Sequence, residues 1–359
     1  EMLSGDWSSD VCSSDLTSTK VALFEGDRRL AEETVRHDPA RLRAFDNVAE
    51  QFAFRMETID PWIAALGLAA GEIAAVVGRG APLRPLEGGS YRITPQMLDD
   101  VRTMRYSNHA SNLGCLIAHH LGLRYGVPAF IADPITVDNF TDIARVSGVP
   151  EIERKCRVHA LNIKEVSRRE AEKMGMTLAT AAFVACHMGG GVSVAALRGG
   201  RVIDVNDALL GMGPFSPDRA GALPIGELVR LCYAGKYTEK EMIDKLSKHS
   251  GLAAYIGESD LRAVEKRIED GDEKALRYFT AMAYQIAKEI GVAAVALEGQ
   301  LDAIILTGGM AHSARLCGEI RRYAGFLGEF RIVPGEFEME ALAAAGVRFL
   351  SGREPLKEY

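Results

Sequence analysis

The chain has 359 residues, enough for two domains with cores of their own or for one large one. A net charge of −7 with no block of Lys or Arg excludes a nucleic-acid surface. Hydrophobic residues at 47% with charged residues at 25% are the composition of a soluble globular protein. No apolar run is long enough to span a bilayer, and the start lacks a basic stretch followed by an apolar one, so the expectation is a cytoplasmic protein with no membrane partner. The six Cys (12, 115, 156, 186, 232, 317) show no CxxC or His-paired spacing and read as reduced thiols.

In chain order, EMLSGDWSSDVCSSDL (1–16) is Ser/Asp-rich and has no period of 2 or 3.6. TSTKVALFEGD then reads as a polar loop, a strand over Val21 to Phe24 and a turn at Glu25-Gly26-Asp27. GEIAAVVGRG (71–80) is an apolar strand entering a glycine turn. SNHASNLGCLIAHHLGLRYG (107–126) predicts a helix with Ser107 as N-cap and Gly126 as stop. VPAFIADP (127–134) is a buried strand ending on Asp133.

After the polar helical stretch 164–175, the pattern restarts. TAAFVACHMGGG is a strand into glycines, and VSVAALRGGRVIDVND is a hairpin turning at Gly199-Gly200. Pro224 suits N1 of a helix, and Thr238 with Glu241 forms a capping box. A long helix over 272–298 leads into the strand LDAIILTGGM. Strands and helices alternate throughout, which is the α/β pattern. No repeat shows by direct residue identity, and a domain boundary is expected near Pro150.

Three strand-to-glycine junctions recur: VVGRGAP, ACHMGGGVSV and ILTGGMAHSARL. Glycines after a strand allow close approach of a phosphate, which backbone N–H groups then bind. None matches the P-loop or the dinucleotide GxGxxG pattern.

The stretches CHMGGGVSV, RVIDVNDALLGMGPFSPDRAGALP, LTGGMAHS, EALAAAG, VDNF and HALN resemble the butyrate branch of the acetate kinase family, from Thr17 to the C-terminus. That resemblance implies an α/β fold of two similar actin-like ATPase (ribonuclease H-like) domains with an inter-domain cleft. Its domains would be 17–150, joined by a C-terminal helix near 340–359, and 151–339. It also implies reversible phosphoryl transfer between ATP and a short-chain carboxylate, giving ADP and an acyl phosphate, by a homo-oligomer. A kinase for acetate, propionate or a branched acid is the alternative within the class. A nucleotide-binding member that transfers nothing is the alternative outside it, and the joint presence of Arg79, Asp133, His159 and Arg219 speaks against that one.

A carboxylate is already ionised near pH 7, so the reaction needs no general base. It needs positive charge to bring one anion against another. By the resemblance, Arg79 and Arg219 neutralise carboxylate and phosphoryl oxygens, and His159 hydrogen-bonds the group in transfer. His187 with Gly189, Gly190 and Gly191 grips phosphate. Ser18 and Lys20 do so from the first domain, and Gly308 and Gly309 lie under the adenosine. Asp133 and Glu338 are the carboxylates around Mg2+, with Glu336 the alternative to Glu338. Val158, where acetate kinases carry Phe, and the small Gly80 and Ala81 suggest room for a longer acyl chain.

The family begins with an apolar strand and an N-P-G-S-T-S-T-K loop, of which Thr17 to Lys20 remain. Residues 1–16 are therefore expected to be a non-native leader, one that leaves the first domain without a central strand and sets Asp15 where phosphate should bind.

Overall fold

The structure is a computed structural model that describes residues 8–14, 18–69 and 71–359. Its chain packs as two units, Glu1–Val137 with Phe337–Tyr359, and Asp138–Glu336. The division falls ahead of Pro150. Val137 still bridges to Leu86 of the first unit, whereas Asp138 takes both guanidinium nitrogens of Arg145 at 2.8 Å in the second.

In the first unit, β1 (Ser8–Ser14), β2 (Ser18–Glu25), β3 (Arg28–Arg36), β4 (Ile73–Arg79), β5 (Ser90–Arg92) and β6 (Ala129–Ala132) form a sheet ordered β3-β2-β1-β4-β6-β5. β1 is antiparallel to β2, from Ser8↔Glu25 to Ser14↔Thr19, and parallel to β4. Residues 8–14 thus supply the central strand, and the expectation of a missing one is corrected. Strand pairing is made by backbone groups, which Ser and Asp carry as well as Val does. Residues 1–7 and 15–17, with the Asp15 expectation, lie outside the described residues.

The strand expected from Val21 begins at Ser18, because Lys20 has ladder partners on both sides, Ser13 and Thr34. The helix expected from Ser107 runs Asn112–Tyr125 and does stop at Gly126, in the left-handed region. Its start is delayed because Asn112 Nδ2 donates to the Ser107 and Val101 carbonyls, holding 107–111 outside the helix. The helices Gln51–Ala65, Pro95–Arg102 and Asn112–Tyr125 bury Ile59, Ile63, Met97, Leu113 and Ile117 in one core with Val76 and Ile131 of the sheet. The C-terminal helix Glu338–Leu350 also belongs to this unit, with Phe349 edge-on to Phe130 of β6.

In the second unit, β7 (Ala182–Met188), β8 (Val192–Arg198), β9 (Arg201–Val205), β10 (Ala303–Gly308) and β11 (Phe330–Pro334) are ordered β11-β10-β7-β8-β9. β8 is antiparallel to β7 and β9 to β8, while β10 is parallel to β7 and β11 to β10. Read outward from β7, this is the first unit's arrangement around β1, so the units are topological repeats despite unlike residues. The long helix is Glu273–Ala296. It buries Ala275, Phe279, Met282, Ala283, Ile286 and Ile290 at helical spacing over Val184, Cys186 and Ile304. Pro224 is the N-cap of Ile225–Tyr233 rather than N1, and the Thr238–Glu241 capping box forms as expected. No helix among the described residues is long and apolar enough to cross a membrane.

Candidate active site

In the first unit, β4 and β6 are parallel neighbours paired at Arg79↔Ala132. Arg79 and Asp133 therefore stand at the carboxyl ends of adjacent strands, where α/β sheets hold ligands. β4 is held close to the helix Asn112–Tyr125, because a Cβ on Gly114 would collide with the Arg79 backbone and one on Gly78 with the Gly114 carbonyl. Asp133 is buried and left-handed at φ +38, a conformation costly for a side-chain-bearing residue. Its Oδ1 accepts the Gly89 N–H at 2.8 Å, and its own N–H donates to the Gly89 carbonyl. Glu338, expected as a metal ligand, is ion-paired with Arg79 at 3.1 Å. Gly80 is small for a local reason: a Cβ there would meet the Pro134 backbone. Ser18 and Lys20 are half-buried residues of β2, with the Ser18 carbonyl accepting from buried Arg55 at 2.9 Å.

In the second unit, the turn after β7 is closed by a Gly189 N–H to Gly191 carbonyl bond of 3.0 Å. The segment PFSPDRAG is fastened to it. The Ser216 hydroxyl donates to the Gly190 carbonyl at 2.6 Å and accepts the Arg219 N–H at 3.2 Å. The Arg219 guanidinium lies against Gly191, where a Cβ would strike it, and Nη1 donates to the Ala208 carbonyl at 2.6 Å. Burial lowers the pKa of Arg219, with Asp218 and Asp207 acting in the other direction. It forms no ion pair among the described residues. A desolvated cation beside an anion-binding turn is a strong attractor for phosphate.

His159 is the N-cap of Ala160–Lys173, and its ring stacks on His187 at 4.1 Å between centroids and 16° between planes. His159 Nδ1 is 2.8 Å from Ser193 Oγ, and His187 Nδ1 is 2.8 Å from Asn162 Nδ2. His187 Nε2 lies 3.9 Å from Glu336 Oε1. The helix start joins the two histidines because residues i and i+3, His159 and Asn162, share one face.

A cavity of about 740 Å³ opens beside the turn, lined by Gly189, Gly190, Gly309, Met310, His312 and Glu336 among others. That volume suits a nucleotide. Gly308 is left-handed at φ +89, and a Cβ on it would collide with the Met188 backbone, so it joins β10 to the end of β7.

The second unit thus brings together His159, His187, Gly189, Gly190, Gly191, Arg219, Gly308 and Gly309, and the first brings together Arg79, Asp133 and Glu338. The sequence gave no part to His312, Asn162, Ser193, Thr307 or Ser216. The HALN spacing could have signalled Asn162. Ser193 and Thr307 are near the histidines only through strand register, His187↔Ser193 and Thr307↔His187, and Ser216 reaches the turn from the loop that carries Arg219. Among the described residues no group of three or more His, Cys, Asp or Glu is placed to hold a metal.

Two repeated sheets with a glycine turn after a central strand define the two-domain actin-like ATPase fold. Solved structures with this fold include the acetate kinase of Porphyromonas gingivalis, with TM-score 0.78 and 20% identity, covering 96% of this chain and 99% of that one. The propionate kinase of Francisella tularensis subsp. tularensis SCHU S4 matches with TM-score 0.76 and 16% identity, covering 94% and 98%. The Acetokinase family pattern matches residues 151–328. A "Probable butyrate kinase" of Listeria monocytogenes serotype 4a (strain HCC23) is 45% identical over 343 residues, 96% of this chain and 97% of the relative. The chain belongs to the acetokinase family.

Proposed function

We propose that this protein transfers the γ-phosphoryl group of ATP to a short-chain carboxylate, butyrate by preference, reversibly yielding ADP and an acyl phosphate. The observation that carries this reading is the half-buried Arg219 guanidinium packed on Gly191 of the glycine turn. The relatives named for butyrate, acetate and propionate kinases support the choice of a carboxylate acceptor.

In the reaction, a carboxylate oxygen forms a bond to the γ-phosphorus while the bond from that phosphorus to the β-γ bridging oxygen breaks. ADP leaves with the electron pair, and no proton need move. The obstacle is electrostatic, so Arg219 and Arg79 act by offsetting negative charge on the oxygens. His159 donates a hydrogen bond to the transferring group, and the Gly189–Gly191 backbone binds phosphate. Ser18 and Lys20 add phosphate contacts, and Gly308 and Gly309 border the adenosine.

Mg2+ belongs to the same proposal. This ion is held by one or two carboxylates together with substrate phosphates, and when bound it offsets phosphate charge. Buried Asp133, oriented by the Gly89 N–H, fits that role. Glu338 fits it less well, because its charge is already matched by Arg79.

A coupled assay of ADP release tests the reading. Release should rise with butyrate and require a divalent cation. Release that no short-chain acid stimulates would overturn it.

A further inference from the structure

A chain of hydrogen bonds leads from a backbone carbonyl to His187, and its direction can be worked out. The Gly335 carbonyl can only accept, so the Thr307 hydroxyl, 3.2 Å away, donates to it. Thr307 Oγ1 must then accept from its other neighbour, Asn162 Nδ2, at 3.3 Å. The Asn162 amide therefore presents its NH2 group on this side, and the same nitrogen lies 2.8 Å from His187 Nδ1. A donor facing Nδ1 requires that nitrogen to be the acceptor, which leaves the ring proton on Nε2. Asn162 and Thr307 are fully buried and His187 nearly so, which keeps water from substituting for any of them.

We propose that Asn162 is a positioning residue that holds His187 neutral and protonated at Nε2, so that Nε2–H donates to a phosphate oxygen at the Gly189–Gly191 turn. Nε2 faces that turn: a Cβ on Gly189 would lie 3.4 Å from it. The inference rests on the kinase reading for the identity of the acceptor, but not for the tautomer. Protonating His187 would set an Nδ1–H against the Asn162 NH2 group, and would place a cation 4.1 Å from the stacked His159 ring. Glu336 Oε1 lies 3.9 Å from Nε2, and the Arg219 guanidinium packs against Gly191 of the same turn. Two rings stacked this closely resist double protonation. A neutral His187 donor serves an anion in both directions of the reaction without needing a proton from solvent.

The test is nitrogen NMR of the full-length, ligand-free protein labelled with 15N-histidine, with His187 assigned by comparison with His187→Gln. The expected spectrum at pH 7 has a protonated Nε2 and an unprotonated Nδ1. In Asn162→Asp the carboxylate should draw a proton to Nδ1 and raise the pH at which His187 becomes imidazolium. The acid limb of the kcat profile should move up with it, and kcat should fall about tenfold or more while the KM for butyrate changes little. A wild-type spectrum with the proton on Nδ1 would overturn the proposal even if Asn162→Asp proved unstable, as would an Asn162→Asp protein with unaltered tautomer and pH profile. Because the spectrum requires no turnover, failure of the kinase reading and failure of this one are distinguishable.

Discussion

The Arg219 guanidinium occupies the space that a side chain on Gly191 would need. The glycine turn and the cation are thus parts of one packed arrangement, fastened again by Ser216 between Gly190 and the Arg219 N–H. Replacing Arg219 with Ala should lower kcat by about 10²–10³-fold, the scale for losing one charge-stabilising donor, while the KM for ATP changes little. Gly191→Ala, which displaces the guanidinium without removing it, should lower kcat in the same direction by less. Initial rates over a grid of ATP and butyrate concentrations separate the two parameters. A loss confined to ATP binding would show that Arg219 serves the ground state only.

Val158 is buried immediately before His159, where a larger aromatic residue would take up space. If that space receives the acyl chain, each added methylene contributes about 0.8 kcal/mol. Butyrate should then exceed acetate in kcat/KM by roughly 15-fold, since 1.4 kcal/mol is a factor of ten. Val158→Phe should narrow the ratio mainly by weakening butyrate. Gly80 does not enter this argument, because Pro134 already accounts for its size. Equal specificity constants for the two acids would end it.

β1 pairs on both sides, with β2 and with β4, yet its sequence SSDVCSS is poor in the residues that favour strands. Exchanging residues 1–16 for an apolar family-type strand with an N-P-G-S loop should raise stability by about 1 kcal/mol or more, which is roughly 2–4 °C in Tm for a domain of this size. Butyrate-dependent ADP release should rise as well. Melting curves and assays of both proteins side by side are the measurement. Equal Tm and equal activity would show that residues 1–16 do all that the family strand does.

His37 is buried against Thr19, with Nε2 2.9 Å from its hydroxyl, and burial followed by the charge of Arg55 lowers its pKa to about 4. The unfolded chain takes up this proton near 6.5, so between about pH 4 and 6.5 it binds more protons than the folded one. Stability from this group is therefore complete above 6.5 and is lost as pH falls, by about 2 kcal/mol between pH 7 and 5. Urea midpoints of the wild type and His37→Gln at the two pH values measure it. The wild type should lose more than the variant, and parallel losses would assign the pH dependence to other groups.

Caps, strand runs and glycine punctuation are local, which is why the Thr238–Glu241 box, the Gly126 stop, the Gly199-Gly200 hairpin and the long helix Glu273–Ala296 could be read from the chain alone. The family's motif residues were legible in the same way, since each motif is a short run around a turn. Tertiary structure alone decided three things. A Ser/Asp-rich segment became a central strand, because backbone partners on both sides outweigh its weak propensity. Glu338 went to Arg79 and Glu336 to His187, although the two carboxylates are only two residues apart in the chain. Asn162, Thr307 and Ser193 gathered around two histidines from a helix start and two strands distant in sequence. Pairing register and buried hydrogen bonds are long-range, so no window along the chain contains them, and they are what orients the residues the motifs had marked.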